Sequence, residues 1–544
     1  MRPSLPPLRG AWRTDPRACA AYAEGAGILR VLPRAVAVPR DTGDLVALVG
    51  WAVETGTPLI PRGAGSAMDG SSVGPGVIVD LTQVHDRVLH IDAERREAHA
   101  SAGVRGGELQ AAARAHGLRL PPDPSSLAWA TLGGLVAVNA AGARTPKFGV
   151  MREWVMGVEL VGRRGARAYR RGSAAPDTAA LHAHLLAHAD LIGARFPRTT
   201  KNTAGYALDV FLASGDPLDL IIGAEGTLGI AATTTWRLDP IPEATAALGV
   251  ALPTLELLPL VVAALRAAGA SAIELLDRTF LDVVGDDALP ASLAAHAHGA
   301  EGLLLVELEG DAEPVRDVAM SAAAACVALG APAVTALDDA SVQALWALRH
   351  RASPVLAALP GRRSLQVIED GCVPVARLAD YARGVKAAAG RHGVMAVLFG
   401  HAGDGHLHVN LLPDVSAPGW EARVAAVLDE VTGLVLGLGG TIAGEHGAGR
   451  LRTPLLERQY GAAVMALFAD VKRAFDPEGV MNPGVIVPLA GEAAPTAGWL
   501  PGPLKVGDGA PALPADIADG LRRIELERGY ATSRLALADG SGEA

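Results

Sequence analysis

The sequence predicts an α+β protein. A first part of short alternating strands and helices is followed by a ferredoxin-like sheet with helices on one face. Three observations carry this. The 544 residues include 64 Gly and 37 Pro, so most segments are short and bounded by turns. Half of the residues are apolar and 19% are charged, enough for large buried cores. After Pro240 and Pro242 the apolar runs take the order strand, helix, strand, strand, helix, strand, as in split β-α-β units.

In chain order, Thr42–Val53 has helical apolar spacing behind an Asp41/Thr42 start signal. Pro58–Pro61 reads as a short strand running into a glycine turn, and Val77–Leu81 as a short apolar strand with Asp80 near its end. Gly107–His116 is an Ala-rich helix stopped by Gly117. The X-Pro pairs of Leu238–Pro242 favour extended chain and divide residues 1–240 from the rest of the chain. Beyond them come the strand Ala246–Leu252, the helix Leu255–Ala268, the strands Ala272–Leu276 and Leu303–Leu308, the helix Glu313–Leu329 and the strand Ala333–Ala336. From Ala490 the chain is rich in Pro, Gly and Ala and reads as extended or mobile. Within this tail, 490–544, Ala515–Arg528 carries the apolar stripe Ile517, Leu521, Ile524, Leu526 of an amphipathic helix. Docking on its own domain is favoured over binding a partner.

Composition removes several functions. Lys and Arg number 48 against 58 Asp and Glu, a net charge of −10 with no basic run, so nucleic acid is not an expected partner. Cys19, Cys326 and Cys372 form no CxxC. A disulfide framework, a four-thiolate zinc site and an iron–sulfur cluster held by four thiolates of this chain are excluded. A reducing, cytoplasmic setting is expected. The start, MRPSLPPLRGAWRTD, lacks the apolar core of a signal peptide, and the most apolar window is broken by Arg266 and Glu274. No transmembrane segment is expected; peripheral association with the inner membrane through a partner stays open, as does a homodimer.

Three stretches concentrate glycine beside small polar residues: Pro61–Gly70; Pro121–Ser126 continuing through Thr131–Gly134 to Asn139–Gly142; and Gly223–Ile230. Glycines let successive backbone N–H groups approach an anion with no Cβ in the way. The stretches are not a Rossmann fingerprint, because Met68 stands where the third glycine belongs, and none supplies the G-K-[ST] of a Walker loop. A nucleotide, if bound, is held by another fold.

A second constellation is Phe399–Asn410 (FGHAGDGHLHVN) with Gly440–Arg450 (GTIAGEHGAGR). His401 and His408 are seven apart, which on one strand would place them on opposite faces. Gly403-Asp404-Gly405 is a turn signal, so His401 ends one strand and His408 lies on the next, where the imidazoles can converge. His406, His408 and Asn410 then share a face, and Glu445 can supply a carboxylate. Two histidines and a carboxylate with an open position make a catalytic zinc site; other divalent metals fit the same ligands. His406 reads better as support for its neighbours.

The glycine stretches resemble the FAD-binding domain of the vanillyl-alcohol oxidase / p-cresol methylhydroxylase (PCMH) type over roughly residues 25–240. That resemblance implies FAD held by Pro61, Arg62, Gly63, Ala64, Gly65, Ser66 and Met68, by Pro122, Asp123 and Ser125, by Thr131, Gly133, Gly134, Asn139 and Gly142, and by Glu225, Gly226, Gly229 and Ile230. The backbone of Arg62–Ser66 and the Thr131–Gly142 run would hold the pyrophosphate and ribityl chain, and Glu225–Ile230 the adenosine half. Some relatives tether the flavin through a histidine of the first glycine loop. Arg62–Gly70 has none, so non-covalent FAD is implied.

The histidine-rich segments resemble the C-terminal substrate (cap) domain of FAD-linked D-2-hydroxyacid dehydrogenases, the group of D-lactate, glycolate and D-2-hydroxyglutarate enzymes. This implies a cap domain over 241–465 and a returning segment, 466–489, with Asn482 at the flavin. It also implies His401, His408 and Glu445 as metal ligands, zinc first, and His446 as general base. Arg349 of Trp346-Ala347-Leu348-Arg349 would grip the substrate carboxylate, and Asn410 would join the catalytic set. The substrate would be a small D-2-hydroxy acid such as D-lactate or glycolate. Electrons would leave to a separate acceptor: an iron–sulfur protein, an electron-transfer flavoprotein, a cytochrome or a quinone. His406 stands where asparagine is usual. Ile368 stands where some members have a lysine able to meet a second carboxylate, which argues against 2-hydroxyglutarate. The alternatives are a non-redox flavoprotein of the alkylglycerone-phosphate synthase type and a non-catalytic FAD-binding subunit of a larger oxidase.

Overall fold

The structure is a computed structural model, and it describes residues 8–83, 89–173, 176–285, 289–357, 359, 361–492 and 494–540. Strands β1 (Ala11–Arg13), β2 (Ala35–Val38), β3 (Leu59–Arg62) and β4 (Val77–Asp80) form a sheet in the order β1-β2-β4-β3. β4 runs parallel to both β2 and β3. Parallel neighbours need a crossover, and the helix Thr42–Thr55 lies on the path from β2 to β3. The Asp41 carboxylate caps it by accepting from Asp44 N at 3.1 Å, as the start signal predicts, and Gly56 ends it at φ 64°. Its Leu45, Leu48, Val49 and Ala52 are buried against this sheet. β3 therefore delivers the first glycine stretch to the end of a parallel strand, where open α/β sheets bind ligands.

Seven strands come next: β5 (Leu89–Asp92), β6 (Glu97–Ser101), β7 (Leu118–Arg119), β8 (Val155–Gly162), β9 (Gly165–Arg170), β10 (Ile230–Arg237) and β11 (Asp239–Pro240). Five form an antiparallel sheet, β5-β6-β10-β8-β9. The short β7 and β11 pair with each other, so the boundary at Leu238–Pro242 is extended, as expected, but pinned to the first part.

The third sheet contains β12 (Ala244–Leu252), β13 (Ala272–Asp277), β14 (Gly302–Gly310), β15 (Ala333–Ala336), β16 (Gly371–Cys372), β17 (Met395–Gly400) and β18 (His406–Leu412), in the order β15-β12-β14-β13-β17-β18-β16. Its first four strands keep the ferredoxin-like order. The helices, however, cover both faces rather than one. Leu248, Val250 and Leu252 share a core with the helices Leu258–Ala267 and Ala312–Ala328. Ala247, Ala251, Leu303 and Leu305 share another with Phe280, Leu293, Leu345 and Leu348, from three helices on the opposite side. The apolar run of β12 and the Leu303–Val306 run of β14 are the physical reason, since a strand stretch buried on both faces does not alternate.

Two charge-assisted forks join the parts: Arg119 to Glu309 (2.7 and 2.7 Å) and Arg144 to Glu307 (2.8 and 3.1 Å). The described tail is docked on the chain's own first part. Lys505 N donates to Ile28 O (2.8 Å), and the helix Ala515–Glu527 buries Ile517, Leu521 and Ile524, the first two beside Ala18, Ala20 and Tyr22. Leu526, expected on the same stripe, is 46% exposed. It lies nine residues beyond Ile517, about half a turn away at 3.6 residues per turn. Among the described residues no helix is long and apolar enough to cross a membrane.

Candidate active site

A cavity of about 1150 Å³ lies between the first part and the third sheet. The three glycine stretches form one wall, and Arg349, His401, His408, Asn410, Glu445 and His446 line the same space. β17 ends at Gly400, a one-turn helix over Ala402–Asp404 reverses the chain, and β18 begins at His406. The expected strand–turn–strand is thus present. His406, His408 and Asn410 share the polar face, while Leu407, Val409 and Leu411 enter the core behind.

His401 Nε2 is 3.0 Å from Glu445 Oε1 and 3.3 Å from His408 Nε2, and His408 Nε2 is 3.5 Å from Glu445 Oε1. Tetrahedral zinc with bonds of about 2.0–2.2 Å places its ligand atoms about 3.3–3.6 Å apart. The three donors therefore have the spacing and chemistry to hold a divalent cation. His406 joins the same cluster. Its Nε2 meets Asp370 Oδ1 at 2.9 Å, and its buried Nδ1 has no hydrogen-bond partner, 3.8 Å from Glu445 Oε2. His406 thus lies beside the trio with one nitrogen held by Asp370 and the other unpartnered.

Carboxylates organise these rings. Glu274, fully buried on β13, accepts from His401 Nδ1 (2.5 Å) and from Arg349 Nε (2.5 Å). Burial alone would favour its neutral form, but His401 and Arg349 outweigh that and hold its carboxyl at about 2. Glu445 is held well below the usual carboxylate range: burial opposes this, and His401 and the Lys201 ammonium overcome it. Lys201, fully buried, contacts Glu445 Oε2 (2.8 Å), Asp404 Oδ2 (3.1 Å) and Gly142 O (3.1 Å), tying the second glycine stretch to the trio.

His446 stacks on His408 with ring centroids 5.3 Å apart. Its backbone N–H donates to Asp370 Oδ2 (2.9 Å), and its Nδ1 lies 3.2 Å from Glu369 Oε1. Burial would lower its pKa, yet Asp370, Glu369 and Glu445 raise it to about 9. Nearby His408 moves well below its ordinary value through burial and the neighbouring His406. The Arg349 guanidinium lies 4.8 Å from the centre of the Phe399 ring. Asn410 Oδ1 accepts from Ser364 Oγ (3.2 Å) and Gln366 Nε2 (3.3 Å), while its buried Nδ2 and the Trp346 Nε1 have no partner.

Of the residues expected to hold FAD, all line the cavity except Pro122, Asn139, Gly142 and Asn482. Gly142 packs so closely behind that a Cβ there would lie 2.3 Å from Asp123 O. Asn139 accepts from Arg152 N at 2.9 Å. Asn482, rather than facing the cavity, donates to Ser71 O (3.0 Å) and Glu225 O (2.8 Å), stapling the first glycine stretch to the third. The Glu225 carboxylate accepts from Ala448 N (2.8 Å) and Gly449 N (2.7 Å). Ile368 is buried in the apolar core outside the cavity wall, so its side chain does not decide what the cavity admits. Sequence reasoning missed Glu274, Lys201, Asp370 and Glu369. Glu274, an acid inside the apolar run AIELL, was the readable signal, because such a charge is buried only with partners.

The FAD binding domain model matches residues 33–167, and the model of FAD linked oxidases, C-terminal domain, matches residues 241–486. The glycolate oxidase subunit GlcD of Bacillus subtilis (strain 168) is 31% identical over 460 residues, 83% of this chain and 88% of that protein. The chain belongs to the FAD-linked oxidase family. Among other family members, the D-lactate dehydrogenase of Archaeoglobus fulgidus is 30% identical over 467 residues, 84% of this chain and 93% of that one. A solved 4-ethylphenol oxidase from Gulosibacter chungangensis superposes with TM-score 0.65 at 17% identity, covering 88% of this chain and 94% of its own. That is a likeness of fold. This FAD-linked oxidase therefore has the PCMH-type architecture, with its third sheet closing over the glycine-lined wall.

Proposed function

We propose that the protein oxidises a small D-2-hydroxy acid, of the D-lactate or glycolate kind, to the 2-oxo acid and passes the electrons to a separate acceptor. The supporting observation is the shared cavity: the His401–His408–Glu445 trio and His446 face the same space as the glycine stretches. A bound divalent cation would supply Lewis-acid polarisation of the substrate hydroxyl, and bound FAD the acceptor for the C2 hydride.

Arg349, aimed by Glu274 and placed over Phe399, receives the substrate carboxylate as an ion pair. Glu274 also fixes His401 through Nδ1, leaving Nε2 to face Glu445 and His408. His446, oriented by Glu369 and Asp370, takes the hydroxyl proton on the nitrogen facing the cavity. The surrounding carboxylates raise its pKa; a divalent charge held by the adjacent trio would oppose them and favour the neutral, proton-accepting form. Asn410, with a free amide N–H₂ toward the cavity, donates to the substrate.

The test is anaerobic titration of the FAD-loaded protein with D-lactate, glycolate, D-2-hydroxyglutarate and D-malate, following the flavin absorbance. Bleaching by one of them is expected. A flavin that none of them bleaches would favour a non-redox synthase or a non-catalytic subunit instead.

A further inference from the structure

Behind the first glycine stretch lies a second, polar cavity of about 310 Å³. Gly63, Ala64 and Thr131 form a wall common to it and to the large cavity. Its other side is built by Tyr530, Thr532 and Arg534 of the tail, beyond residue 486 where the family match ends.

Arg534 is 5% exposed, and its Nε and Nη1 have no hydrogen-bond partner. Neighbouring Arg62 is 1% exposed and gives its guanidinium to two backbone carbonyls, Ser72 O (3.1 Å) and Glu24 O (2.7 Å). Among the described residues neither cation is paired with a carboxylate. The Glu24 side chain is taken by Arg30 at 2.5 Å. Asp80, 3% exposed, lines the second cavity but already accepts from Tyr22 Oη, Thr82 N and Thr82 Oγ1. Two buried guanidiniums thus stand against one buried carboxylate. Arginine does not shed its proton, and a buried charge without a counter-charge is strongly unfavourable. An anion at the shared wall completes the set.

We infer that Arg534 anchors the cofactor: its guanidinium meets the diphosphate of the dinucleotide cradled by the Arg62–Ser66 and Thr131–Gly134 stretches. The inference rests on the FAD reading above. The glycine stretches offer backbone dipoles to a doubly charged group, whereas Arg534 brings a full charge and a planar fork suited to phosphate oxygens. Tyr530 holds it in place. The tyrosine ring packs on Ala64 and on Trp129 (centroids 6.1 Å apart), and the Arg534 guanidinium carbon lies 6.0 Å from its centre. The docked tail is thereby part of the cofactor site.

The experiment strips FAD from the full-length protein and rebinds it to wild type, Arg534→Met and Arg534→Gln. It follows quenching of flavin fluorescence and, separately, the melting temperature with ADP or riboflavin as probes. Both variants are expected to bind FAD roughly tenfold to a hundredfold more weakly, the loss of one charge-assisted contact. They lose the thermal shift given by ADP and keep that given by riboflavin. Without cofactor they melt no lower than wild type, because an unpaired buried cation has been removed. FAD affinity within twofold of wild type overturns the inference, as does an equal loss of ADP and riboflavin binding or a lower melting point of the cofactor-free variants. A wild type that takes up no FAD overturns the FAD reading itself.

Discussion

Glu274→Gln tests how the cap domain aims the site. The carboxylate is fully buried and serves two donors at once, His401 Nδ1 through Oε1 and Arg349 Nε through Oε2, each at 2.5 Å. Glutamine keeps the shape but offers one acceptor and one donor. Its N–H₂ must face either the imidazole N–H or the guanidinium, so one contact becomes donor against donor. A charge-assisted hydrogen bond contributes about 1.5–3 kcal/mol. Loss of a carboxylate that orients a metal-ligating histidine typically costs about 10–100-fold in metal affinity, or about 1.4–2.8 kcal/mol at about 1.4 kcal/mol per factor of ten. The two routes agree. The assay is competition for zinc between the FAD-loaded protein and a fluorescent chelator, with flavin content as control. Zinc affinity is expected to fall by about 10–100-fold with FAD retained. Wild-type zinc affinity in the variant would refute the idea that Glu274 aims His401.

His446→Asn should slow flavin reduction by about 10²–10⁴-fold, the range of positioned acid–base catalysis, while FAD content stays constant; reduction near the wild-type rate removes His446 as the base. His401→Ala should lose zinc, measured by metal analysis after dialysis, and lose hydroxy-acid oxidation with it; a metal-free variant of full activity contradicts the ligand assignment. Glu309, paired with Arg119 across the two parts, is held below the ordinary carboxylate range: burial opposes this, and the Arg119 hydrogen bonds outweigh it. A carboxyl lowered by folding stabilises above its unfolded pKa of about 4.3, and that contribution fades as the pH falls through the folded value. Acid unfolding followed by tryptophan fluorescence should therefore depend less on pH below about 4.3 in Glu309→Gln; an unchanged acid limb shows that the pair does not link the parts.

The features legible in the sequence had a local signature. The helix Thr42–Thr55 announced itself by Asp41/Thr42 and its apolar spacing, the β17–β18 hairpin by Gly403-Asp404-Gly405, and the two imidazoles of the trio by their crowding into one glycine-rich segment. The supporting charges did not. Glu274, Asp370 and Lys201 sit in unrelated segments: the pairing of β13 with β17 brings Glu274 to His401, the folding of the same part brings Asp370 to His446, and Lys201 alone reaches Glu445 from the first part. Asn482 is expected at the flavin by resemblance, and its amide staples Ser71 to Glu225, a contact no motif announces, because a motif fixes a neighbourhood and not the direction of a side chain. The second helical face of the cap sheet was written in the apolar run of β12 and in Leu303–Val306 of β14, whose lack of alternation signals burial on both sides.

The central claim is that the histidine–glutamate cluster and the glycine-lined wall make one catalytic space. Its most direct test is stopped-flow reduction of the FAD-loaded protein by the bleaching hydroxy acid, without oxygen, before and after metal stripping and after zinc is restored. Reduction should nearly vanish on stripping and return with zinc, with the flavin bound throughout. Equal rates in the stripped and zinc-loaded protein would contradict the account.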